Sequence, residues 1–168
     1  YRCAFCINFV EKSYNQWRSR SPEKVLEEIR YLKDTYRIEV VSFRDENFFV
    51  NKEHAEQIVA GLKELNISWF ANVRADYFHS DFISDDFLKK LKDSNVLMLG
   101  VGAESGSARI LKYLTKDITI EQILLTARLL NKYDIIASYS FIIGVPTETQ
   151  EEMMATLSLM KKIKQICP

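Results

Sequence analysis

Four short apolar runs, beginning near residues 38, 67, 96 and 135, alternate with helical patterns along this chain, and that alternation limits the fold more than any other feature. Ile38–Phe43, Ile67–Val73, Val96–Val101 and Ile135–Ile143 have the length and β-branched content of strands. Between and around them lie segments with a helical period. Residues 22–36 place Val25, Ile29, Leu32 and Tyr36 on one face, with Ser21 as N-cap and Pro22 at the first helical position. Asn51 caps a helix over 52–65 with Ile58, Val59, Leu62 and Leu65 inward, and Ser84 caps one running to about Asp93. Thr119 with Gln122 forms a capping box for 119–133, and Thr149 with Glu152 caps a last helix to about Lys164. Repeated βα units make a parallel sheet, so the fold class is α/β. Either a doubly wound sheet or part of a barrel satisfies this pattern, and 168 residues are too few for a closed eight-stranded barrel of about 250 residues.

Bulk properties exclude some functions. The 23 basic and 23 acidic side chains cancel, so the basic footprint of a nucleic-acid binder is missing. No apolar run approaches the roughly 20 residues of a membrane-spanning helix. Three cysteines with no secretory leader before Tyr1 point to reduced thiols and a cytoplasmic location. His54 and His79 are the only histidines, which argues against a histidine-based metal site.

In both candidate architectures ligands bind at the carboxyl ends of the strands. Arg44-Asp45-Glu46-Asn47-Phe48 follows the first strand; it reads as a solvated turn or, given Phe43, Phe48 and Phe49 around it, as carboxylates offered to a cationic amino group. Arg74 follows the second, free either to fork onto a carboxylate or to pair with Asp76 at the surface. Gly100-Val101-Gly102-Ala103-Glu104-Ser105-Gly106 follows the third, a tight turn or a close backbone approach that presents Glu104 and Ser105 to a ligand. Ile142, Gly144 and Pro146 mark the end of the fourth. The chain also opens with Cys3-Ala4-Phe5-Cys6, a spacing shared by iron–sulfur loops, zinc knuckles and dithiol redox sites. A zinc module needs two more ligands, and Cys167, His54 and His79 lack the spacing to supply them. A thioredoxin-like dithiol sits at a helix N-terminus, whereas a polar, helix-poor stretch follows Cys6.

Taken in order, Cys3–Cys6, Arg18-Ser19-Arg20-Ser21, Glu28-Ile29, Asp45–Phe48, Trp69 with Arg74–Asp76, Gly102–Ser105 and Ile142–Thr149 resemble the radical S-adenosylmethionine (radical SAM) superfamily. The branch most resembled carries an N-terminal cobalamin-binding domain. The resemblance runs from Tyr1 to at least Glu152. It implies a six-stranded (β/α)6 partial TIM barrel, and an iron–sulfur oxidoreductase that cleaves SAM to a 5′-deoxyadenosyl radical for hydrogen abstraction or methyl transfer. By this resemblance Cys3 and Cys6 would be two of three ligands to a [4Fe–4S] cluster, and Phe5 would lie near the adenine. Asp45, Glu46 and Asn47 would hold the methionine amino group, while Arg74, Glu104 and Ser105 would reach its carboxylate or the ribose. The backbone around Ile142 and Gly144 would pass the adenine. It further implies a small-molecule substrate, an electron donor such as flavodoxin or ferredoxin, and cobalamin held by another domain.

The family pattern places a first cysteine and first strand ahead of Tyr1 and a sixth strand after Pro168. Residues 1–168 are therefore expected to form an incomplete core, inactive by itself, whose bare strand edges invite pairing with another chain in a non-native dimer. The alternatives are an interaction domain that keeps this fold without catalysis, or a zinc or dithiol Cys-x-x-Cys module.

Overall fold

The computed structural model describes residues 1–6, 18–79 and 81–167. Its elements are α1 (Pro22–Tyr36), β1 (Val40–Ser42), α2 (Lys52–Leu65), β2 (Ser68–Val73), a 3-10 turn (Ala75–Tyr77), α3 (Asp85–Asp93), β3 (Val96–Glu104), α4 (Ala108–Tyr113), α5 (Ile120–Lys132), β4 (Ala137–Phe141) and α6 (Gln150–Ile166). All strand pairs are parallel, and the sheet order is β1-β2-β3-β4. A doubly wound sheet reverses its order part-way; this one does not. Sequential order keeps every crossover on one side, as in the wall of a barrel.

The helix starts follow from local chemistry. Ser21, Asn51, Ser84 and Ser107 each accept a hydrogen bond from the backbone N–H three residues on, and Thr119 and Thr149 do so within complete capping boxes. Side-chain oxygens thus satisfy donors that a helix start leaves unpaired. α1 and α2 each end at a left-handed residue, Arg37 and Asn66.

The core lies between the sheet and its helices. Trp69, Ala71, Val73, Leu99, Val101 and Ala103 are buried there with Ile58, Leu62, Phe87, Leu91, Ile123 and Leu130. The buried Trp69 indole donates to the Ser94 carbonyl at 3.0 Å, so even its polar atom is satisfied. Tyr36 departs from the expected inward face. It stands 65% exposed in the final turn of α1, edge-on to Tyr31, where the chain turns out through Arg37.

Strand lengths also differ from expectation. β1 is only three residues, as suits a strand paired on one side, while β3, flanked by two partners, runs past Val101 to Glu104. The opposite face of the sheet carries Ser42, Phe70, Asn72, Met98, Gly100, Gly102, Ser138 and Ser140 and is open.

Candidate cofactor site

A cleft of about 940 Å³ lies over this open face and the strand ends. Its rim begins with the Cys3–Cys6 loop. The Ala4 amide donates to the Leu114 carbonyl at 2.8 Å, and the Cys6 amide to the Cys3 carbonyl at 3.0 Å, so the loop is folded on itself and tied to the end of α4. Both thiols are free; Cys3 is buried and Cys6 half-buried. The Arg74 guanidinium donates to Cys3 Sγ at 3.7 Å, a cation beside a sulfur that a metal would bind as thiolate.

The segment after β1 is tethered to β2. Asn72 Nδ2 donates to the Asp45 carbonyl at 3.1 Å, and the Phe48 amide to the Asn72 carbonyl at 3.1 Å. Phe48 packs 4.7 Å from Phe43 and 5.0 Å from Phe49, centroid to centroid, which anchors the segment while leaving Asp45 and Glu46 exposed on the cleft wall. Asn47 donates from Nδ2 to the Tyr77 hydroxyl at 2.9 Å. Its Oδ1 is buried and has no hydrogen-bond partner among the described residues. A buried acceptor without a partner is rare and calls for one.

Arg74 is buried at the end of β2. It forks onto Asp76 (Nε to Oδ1 2.9 Å, Nη2 to Oδ2 3.2 Å), donates from Nη2 to the Lys116 carbonyl at 2.7 Å, and lies 3.7 Å over the Tyr1 ring. The Asp76 pairing expected at the surface therefore exists, but in the interior. Burial, and next the hydrogen bond to Tyr77, push the Tyr1 hydroxyl above its usual range and keep it a donor. At the end of β3, Glu104 has φ 61°, a left-handed conformation uncommon away from glycine. Its Oε1 accepts from Lys116 Nζ at 2.8 Å, with both side chains buried. Lys116 Nζ also lies 5.8 Å from the centroid of the Phe5 ring. A Cβ on Gly102 would come within 2.4 Å of Glu104 Oε1 and 2.6 Å of Lys116 Nζ, so a side chain there would push the ends of the ion pair aside.

The radical SAM superfamily model matches residues 1–160. The chain belongs to that superfamily. An uncharacterized methyltransferase of Pyrococcus horikoshii is 34% identical over 165 residues, covering 97% of this chain and 35% of the relative. The anaerobic magnesium-protoporphyrin IX monomethyl ester cyclase of Cereibacter sphaeroides is 27% identical over 161 residues, covering 93% of this chain and 25% of the relative. Among solved structures, the radical SAM methyltransferase TsrM from Kitasatospora setae, with cobalamin and a [4Fe–4S] cluster bound, superposes with a TM-score of 0.83 at 17% identity, over 98% of this chain and 30% of that one. The cobalamin-dependent enzyme OxsB, with aqua-cobalamin and SAM bound, gives 0.81 at 21% identity, over 94% and 24%. These structures share the fold, a partial TIM barrel. The radical SAM chain spans between a quarter and about a third of the length of these proteins.

Of the residues singled out in the sequence, the radical SAM fold brings Cys3, Phe5, Cys6, Asp45, Glu46, Asn47, Arg74 and Glu104 to the one cleft. Three others lie off it. Ser105 is fully buried, its Oγ 3.3 Å from Thr156 Oγ1 and accepting from the Ser107 amide at 3.0 Å, so it ties α6 to the turn after β3. Ile142 packs with Ile110, Leu114 and Val145 in a small separate cluster, and its amide donates to the Glu104 carbonyl at 2.8 Å. Gly144 is exposed, with φ 83°, and its amide donates to Glu148 Oε2 at 2.6 Å. The structure adds Lys116 to the cleft lining and Tyr77 behind it. No sequence pattern singled them out: Lys116 sits in an ordinary polar stretch, and Tyr77 acts on a residue 30 positions away.

Proposed function

We propose that the chain is the SAM- and cluster-binding portion of a radical SAM enzyme acting on a small molecule by hydrogen abstraction or methyl transfer. The observation that carries this reading is the convergence of two thiols, the Asp45–Asn47 segment and the buried Arg74 and Glu104–Lys116 groups on one cleft at the strand ends.

Among the described residues no group of three or more His, Cys, Asp or Glu could hold a metal, so Cys3 and Cys6 fit two places of a cluster site and leave the third to another part of the protein. When bound and reduced, the cluster supplies the electron that cleaves SAM to methionine and a 5′-deoxyadenosyl radical. This chain's residues bind and orient. Cys3 and Cys6 hold iron as thiolates. Asp45, Glu46 and the unpartnered Oδ1 of Asn47 accept hydrogen bonds from the methionine ammonium. Lys116, held in place by its ion pair with Glu104, offers its remaining N–H donors to the methionine carboxylate, and Phe5 offers a ring face to the adenine.

The methyltransferase relative and the cobalamin-bound structures support methyl transfer with cobalamin held outside these 168 residues. Electrons come from a small donor protein of the flavodoxin or ferredoxin kind. Among the described residues no helix is long and apolar enough to cross a membrane. We place the enzyme in the cytoplasm. On this reading Cys3 and Cys6 are two of three cluster ligands, and residues 1–168 would need the rest of the protein for activity.

The test uses the full-length protein that contains this chain. After anaerobic loading with iron and sulfide and reduction, SAM should yield 5′-deoxyadenosine, and Cys3→Ala or Cys6→Ala should abolish both the cluster and the product. A folded full-length protein that takes up no iron and sulfide would overturn the enzyme reading in favour of an interaction domain on the same fold.

A further inference from the structure

We propose that Tyr77 is a positioning residue that holds the donor end of the Asn47 amide, leaving its carbonyl oxygen to meet an ammonium group at that point of the cleft. The inference rests on the SAM-binding reading and goes beyond it by naming what fixes the acceptor.

A primary amide has a donor end and an acceptor end of nearly equal shape, so its surroundings decide which end a ligand meets. At Asn47 the donor end meets the Tyr77 hydroxyl at 2.9 Å, and Oδ1 is left buried and unpartnered in a residue that lines the cleft. Tyr77 does not line the cleft; it acts from behind. Its oxygen is itself held in place. The Tyr1 hydroxyl donates to it at 2.8 Å, the Tyr77 ring stacks on Phe82 (centroids 4.5 Å apart, 15° between planes), and the Tyr1 ring is pinned beneath Arg74. Without the Tyr77 hydroxyl, turning Oδ1 toward an ammonium would leave Nδ2 without its partner. The same hydroxyl joins the segment that carries Tyr1 and Cys3 to the segment after β1, so the thiol loop and the amine-binding segment share one fixed point.

Tyr77→Phe removes the oxygen and keeps the ring stack. The experiment is calorimetric titration of the cluster-loaded full-length protein with SAM and with its analogue lacking the α-amino group, paired with thermal melting. Tyr77→Phe should fold, melt only a few degrees below the wild type, and retain its iron. It should bind SAM about tenfold more weakly, with little change for the deaminated analogue. The decisive arm is a double-mutant cycle. With Asn47→Ala already in place there is no amide to hold, so Tyr77→Phe should cost almost nothing. Wild-type binding of SAM with an equal affinity in Tyr77→Phe, or an undiminished loss in the Asn47→Ala background, overturns this inference alone. Failure of the wild-type protein to bind SAM overturns the parent reading, and this inference with it.

Discussion

The two faces of the sheet are built from alternate residues of the same strands, yet they differ in almost every property. Toward the helices, β2 and β3 send Trp69, Ala71, Val73, Leu99, Val101 and Ala103 into a close-packed interior. Toward the cleft, the same strands send Asn72, Gly100 and Gly102, with Ser138 and Ser140 from β4 beside them. Because side chains in a strand point alternately to opposite sides, one nine-residue strand supplies both a structural surface and a binding surface. Stability and ligand chemistry should therefore respond separately to substitution.

The strongest test of that separation is on the packed side. Leu99→Ala removes a fully buried side chain from β3, and should cost about 2–5 kcal/mol in urea unfolding. What remains folded at low temperature should keep its affinity for SAM. On the open side, Gly102→Ala forces a methyl group against the Glu104–Lys116 pair. It should cost a smaller amount, about 1–3 kcal/mol, and weaken SAM binding visibly in the same titration. Equal effects of both substitutions on affinity would break the contrast between the faces.

A finer probe lies away from both faces. Arg109 forks onto Glu152, whose carboxylate also accepts from Ser107 and caps α6; these bonds, the Arg109 contact first, lower its pKa from 4.5 to about 2. The folded value lies below the unfolded one, so the contribution to stability is complete above pH 4.5 and is lost as pH falls toward about 2. Glu152→Gln should lower the melting temperature in the neutral region, where the ionised pair is complete, and the two proteins should converge as pH falls from 4.5 toward about 2, so the acid limb of the variant is flatter.

Much of the scaffold was legible because its determinants are local. Ser21, Asn51, Ser84, Thr119 and Thr149 announce helix starts within four residues of sequence, and each does cap in the structure. The four strands were found from β-branched content, but their ends were not. The strand was expected to end at Val101, with the glycine segment a tight turn or a close backbone approach, whereas β3 continues past Gly102 because β4 goes on pairing with it after β2 has stopped. α4, at six residues, is too short to show a period. At the site, residues that follow strands directly were visible by position, as with Asp45–Asn47 and Arg74. Lys116 and Tyr77 depend on partners brought together by the fold, and Ser105 carries the right functional group but turns it toward Thr156. Spacing tells which end of the sheet a residue reaches; it does not tell which way a hydroxyl points.

Gly106 has a consequence for how freely such a chain can vary. A Cβ there would lie 2.4 Å from the Ala155 carbonyl oxygen and 2.7 Å from Thr156 Cα, so α6 seats its backbone directly on the turn after β3. The Gly106 amide donates to Thr156 Oγ1 at 2.9 Å across the same seam. Any other residue at 106 would act as a wedge, tilting a 17-residue lever whose first turn is fixed by the loop after β4. A displacement of a few tenths of an ångström at the fulcrum would be magnified toward Ile166 and Cys167. The position is thus closed to drift for a mechanical reason, far from any ligand, and random mutagenesis scored only for folding should return glycine there.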